Sequence, residues 1–153
     1  MIKPFEYFIK ENLVRSSVKN ISMAKSLIEK AEVRFKRIDK SKIEEDEASI
    51  AFEEIYECLR EASQSLMEIS GYKPYSHEAV TSFLLERNLL SKEKVHTIDN
   101  YRVLRNNSVY KAEKISLQKC QEAKEFAKDT LPELNKKLNE LIKKSEIATK
   151  SQE

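Results

Sequence analysis

Arg105-Asn106-Asn107-Ser108-Val109-Tyr110 is the stretch of this chain best equipped for chemistry. A guanidinium forks onto an anion through paired N–H donors, an Asn amide orients it, and a phenol donates or stacks. Arg102 lies one turn earlier and adds positive charge. Three consecutive small polar residues favour local side-chain bonds over helix interior, and Asn tolerates left-handed backbone. The stretch therefore predicts a helix break. Without it, Arg105 and Tyr110, five residues apart, point to different sides of a helix. With it, Tyr110 folds back toward Arg105, and free amides opening the next helix add donors. Such a set suits a phosphate or a nucleotide. The plainer alternative is a helix–helix turn whose arginine pairs with a carboxylate.

Other polar residues carry smaller expectations. His77 opens a helix and reads first as structural, second as a catalytic candidate. His96 sits among charged residues on a solvated face. Glu57, Arg60 and Glu61 share one stretch, where Arg60 pairs with Glu57 or Glu61 at helical spacing, or Glu61 turns into a cleft. The run Glu44-Glu45-Asp46-Glu47 lies where negative charge favours a helix start. Cys58 and Cys120 read as small buried apolar residues, and no Cys/His spacing fits zinc, so neither metal nor cofactor is expected.

These residues need a scaffold, and composition limits it. The 153 residues hold one glycine, three prolines and no tryptophan, with 40% hydrophobic and 35% charged residues, which fits helices with charged outer faces rather than a turn-rich β protein. Net charge is +2. Residues 101–153 carry 12 basic and 8 acidic side chains against 16 and 18 in residues 1–100. That asymmetry permits a nucleic-acid partner without demanding one. No apolar run is long enough to span a bilayer, and the expectation is a soluble, cytoplasmic protein with no membrane partner.

Apolar periodicity places five helices. They run from about Pro4 to Arg37, Ile43 to Ser70, His77 to Arg87, Lys92 to Arg105, and Ala112 to Ile147. Gly71 stands where a left-handed C-cap is wanted, Tyr72 to Tyr75 connects, and Ser76 and Ser91 cap helices. Pro132 should bend the last helix, with Thr130 bonding locally. The reading is an all-α, up-down four- or five-helix bundle, one domain over 1–147 with a frayed tail at 148–153. A bundle this narrow leaves a helix face apolar, which favours a homodimer.

The stretch Arg102-Val103-Leu104-Arg105-Asn106-Asn107-Ser108-Val109-Tyr110 resembles the signature of HEPN (higher eukaryotes and prokaryotes nucleotide-binding) domains. That signature is an arginine, often followed by a polar residue, then four to six residues, then a histidine. Glu54 to Ala62 resembles the family's second helix, and Pro74-Tyr75-Ser76-His77-Glu78-Ala79-Val80 the Ser-His pair opening its third. The resemblance covers nearly the whole chain. It implies a dimeric bundle that binds a nucleotide or RNA, either as partner of a minimal nucleotidyltransferase in a toxin–antitoxin-type module or as a metal-independent ribonuclease. Arg105 would hold phosphate, Asn106 would orient it, and Tyr110 would fill the histidine slot. Ala112 stands where toxins silenced by adenylylation carry a tyrosine. An unperturbed phenol, with a pKa of roughly 10, is a poor base at neutral pH, which favours binding over cleavage. Three readings follow: a phosphate-binding partner protein, a ribonuclease using Tyr110 or His77, and a scaffold without ligand.

Overall fold

In the computed structural model, which describes residues 1–152, the chain is an all-α bundle with one two-stranded ribbon. The elements are α1 (Phe5–Lys10), β1 (Val14–Ser16), α2 (Ile21–Lys40), α3 (Ala48–Ile69), β2 (Tyr72–Pro74), α4 (His77–Glu86), α5 (Lys92–Lys111) and α6 (Leu117–Lys150). Among the described residues no helix is long and apolar enough to cross a membrane.

α3 is the central element. Phe52, Ile55, Leu59, Ala62 and Leu66 are fully buried, and so are Cys58, Ser63 and Ser65 beyond that stripe. A helix buried on most sides needs neighbours on most sides. α2 and α6 pack most extensively against it, α4 and α5 less so. Phe52, Tyr101 and Phe126 stack edge to face at 5.3 and 5.5 Å, tying α3, α5 and α6 together. The buried serines satisfy themselves: Ser63 Oγ donates to the Leu59 carbonyl and Ser65 Oγ to that of Ala62.

The expected first helix is divided. Asn12 takes a left-handed conformation (φ 57°), the chain extends as β1, and Asn20 starts α2 by accepting the Met23 amide at 2.9 Å. β1 pairs antiparallel with the supposed connector β2, Val14 opposite Pro74 and Ser16 opposite Tyr72. Cross-strand bonding stabilises an extended segment that helical periodicity alone misreads. The ribbon is anchored by Phe5, whose ring meets Tyr72 and Phe83 at 5.2 and 5.4 Å. Gly71 adopts φ 87°, and a Cβ there would lie 2.9 Å from the Ser17 carbonyl oxygen, so glycine is required on two counts.

The caps at Ser76 and Ser91 form, accepting the amides of Glu78 (3.2 Å) and Lys94 (3.3 Å). α3 begins at Ala48, after a 3-10 turn at Glu45–Glu47 that uses the acidic run. Pro132 lies inside α6. Thr130, expected to bond locally, instead buries its hydroxyl with no hydrogen-bond partner among the described residues. α6 continues through Lys150, so residues 148–150 of the supposed tail are helical.

Candidate functional site

The predicted break at Asn106-Asn107-Ser108 does not occur. α5 continues through these residues to Lys111, and the chain turns at Ala112, the left-handed C-cap (φ 52°). One tertiary partner and one local one occupy two of the side chains that were to compete with the helix. Ser108 Oγ donates to Glu53 on α3 at 2.9 Å, and Asn106 Oδ1 accepts from Arg105 Nη1 at 3.2 Å. The Asn107 carbonyl accepts the capping amide of Ala112. Weak propensity costs about 0.5 kcal/mol per residue, too little to end a helix whose end is held elsewhere.

Tyr110 therefore does not approach Arg105. Five positions on a continuous helix put the two on different sides, and Tyr110 is 76% exposed. The amides expected beside them are also displaced, because α6 starts at Leu117 behind its own cap, Ser116.

Arg102 and Arg105, three residues apart, instead share a face of α5; Arg102 reaches Glu78 at the start of α4, and the charges of both act on Tyr56 of α3 and His77 of α4. Tyr56 is buried, and its hydroxyl lies 3.3 Å from His77 Nδ1. Burial raises the phenol's pKa well above its ordinary value, against the pull of Arg102, Arg60 and Arg105. The phenol thus stays protonated. Burial, with the charges of Arg60, Arg105 and Arg102, lowers that of His77. At neutral pH the imidazole is uncharged, with one N–H. If the proton is on Nε2, that nitrogen is a donor for an anion; if it is on Nδ1, Nε2 is a free base.

The three arginines differ in what they hold. Arg60 forks Glu57 through Nε (3.0 Å) and Nη2, and its Nη1 donates to Gln64 at 2.7 Å. Although burial acts to raise the Glu57 pKa, Arg60 brings it below the usual carboxylate range. Arg102 is held by Asp99 at 2.9 Å and reaches Glu78 at 3.5 Å, while Asp99 also accepts from Thr81 at 3.3 Å. Arg105 has no carboxylate within 4 Å among the described residues; its bond is to Asn106 alone.

Glu61 does not turn into this cluster. It points to the opposite flank of α3 and is 2% exposed, where its Oε1 accepts from Arg34 at 2.9 Å and faces Lys30 at 3.7 Å. His96 is exposed on α5. Among the described residues no group of three or more His, Cys, Asp or Glu side chains is placed to hold a metal ion. Cys58 is buried in the core, which pushes its thiol up to about 12.

Sequence reasoning named Arg102, Arg105, Asn106 and His77 but missed Tyr56 and Asp99. One signal was available: Tyr56 and Arg60 are four apart, so they share a face of α3. The chain matches no protein-family model, no curated protein and no solved structure.

Proposed function

We propose that this protein binds a nucleotide or RNA phosphate at the junction of α3, α4 and α5, with Arg105 as the principal anion ligand. The observation that carries this reading is the Arg105 guanidinium, which lacks a carboxylate partner within 4 Å among the described residues and whose charge acts on both His77 and Tyr56. Arg102 and Arg60 are already engaged by carboxylates, which leaves Arg105 as the available cation of the three. Asn106 steadies the Arg105 fork rather than meeting the ligand first. Tyr110 has no part in the site. Resemblance to HEPN domains supports the same ligand class. It extends the proposal to a homodimer that partners a minimal nucleotidyltransferase in a toxin–antitoxin-type module.

A second reading, metal-independent ribonuclease, is favoured by one observation. His77 is an imidazole kept neutral at physiological pH beside three arginines, so its Nδ1–H tautomer supplies a base for the 2′-hydroxyl.

Thermal unfolding with nucleotides and short RNA in chelator separates the readings. Saturation at about 100 times Kd should stabilise the fold by about 2.7 kcal/mol, and Arg105→Ala should abolish that gain. If no nucleotide or RNA shifts the transition, or if Arg105→Ala shifts as much as wild type, the binding reading fails. RNA cleavage that disappears in His77→Ala establishes the second reading.

A further inference from the structure

Glu57 competes for the charge that a phosphate would use. Its carboxylate fills the fork of Arg60, the geometry a phosphate would otherwise adopt there. Arg102 is similarly engaged by Asp99 and Glu78. Three guanidinium charges thus face three carboxylates, and His77 adds none while neutral. Glu53 stands one turn before Glu57, occupied by Ser108.

One negative charge can pair with Arg105. A second finds both Arg60 and Arg102 already engaged and faces carboxylates in a partly desolvated place, since the Glu57 and Asp99 side chains are only 27% and 18% exposed. A phosphodiester carries one charge, whereas a terminal phosphate, with a second pKa of about 6, carries nearly two at pH 7.5. We infer that Glu57 sets the charge class of the ligand, making this site select singly charged phosphodiesters over doubly charged phosphomonoesters. The inference rests on the phosphate-binding reading above. Glu57 acts as a specificity-determining residue through Arg60. Replacing it with the isosteric amide, which has one acceptor oxygen in place of two, removes one charge and frees one of the Arg60 donors that the carboxylate holds.

The test uses matched probes that differ by one charge: the four nucleoside 5′-monophosphates and their methyl esters, titrated calorimetrically at pH 7.5. Wild type should bind a methyl ester roughly tenfold more tightly than its parent monophosphate. Glu57→Gln should erase or reverse that preference by gaining affinity for the monophosphate. Glu57→Asp retains the charge and should retain the preference, which controls for disturbance of α3. An unchanged ratio in Glu57→Gln, with both probes still bound, overturns the role of Glu57 and leaves the phosphate reading standing. No binding of any probe to wild type overturns both.

Discussion

Two charged clusters flank the same helix, and they differ in what is left over. On one flank of α3, Glu61 is almost wholly buried against Arg34, with Lys30 beside it, and one carboxylate oxygen has no hydrogen-bond partner among the described residues. On the other, the charges of Arg60, Arg102 and Arg105 act on Tyr56 and His77, and Arg105 is the one of the three guanidiniums without a carboxylate partner. Glu61 and Arg60 are consecutive residues, so sequence proximity says nothing about which cluster each serves. A closed pair with a buried carboxylate specifies packing. A half-open cluster with an unpaired cation is able to take up an anion. Breaking the first should cost stability, and breaking the second should cost binding.

The largest effect is expected at Glu61. Glu61→Ala leaves Arg34 without its carboxylate and should destabilise the protein by about 3 kcal/mol, the low end of the range for one partner of a buried pair because Arg34 is partly solvated. Chemical denaturation measures this. A cost below about 1 kcal/mol would remove the distinction between the flanks. Arg105→Ala is the converse. It should change the stability of the free protein by no more than about 0.5 kcal/mol, while the ligand-dependent gain disappears.

Tyr56→Phe removes a hydroxyl from a partly buried pair and should cost about 1 kcal/mol. The Tyr56–His77 pair also carries a pH signature. The pKa of His77 is lowered in the folded protein, so the unfolded chain binds more protons as pH falls below about 6.5. Stability should be highest above that value and decline below it, until the folded ring also protonates. His77→Gln should remove that portion of the slope in denaturation curves measured at successive pH values; an unaltered slope would place its origin elsewhere. The smallest effects lie at the end of α5. Asn107→Ala should stabilise by about 0.5 kcal/mol as a helix-interior substitution, where a true break would make it costly. Tyr110→Ala should leave ligand affinity unchanged.

What was legible in the sequence was periodic or stereochemical. The α3 stripe from Phe52 to Ile69 is buried, Gly71 is left-handed, and Ser76 and Ser91 cap their helices. These features depend on a few neighbouring residues. The break at Asn106–Ser108 was misread because local preference was weighed without Glu53, 55 residues away, which engages Ser108. The ribbon was missed because β1 has no reason to extend until β2, nearly 60 residues later, pairs with it. The site was half legible for the same reason. Arg102 and Arg105 follow from spacing on α5, whereas their meeting with Tyr56 and His77 is a product of packing.

The two histidines, one in the cluster and one exposed on α5, allow the central claim to be tested within a single molecule. Proton NMR of the imidazole resonances, followed through a pH titration with and without a saturating nucleotide or short RNA, reads both at once. Anion binding at Arg105 should shift the His77 resonance and raise its pKa, because the bound charge stabilises the imidazolium, while His96 stays unchanged. If His77 and His96 respond alike, or His77 does not respond at all, the phosphate does not bind at this junction.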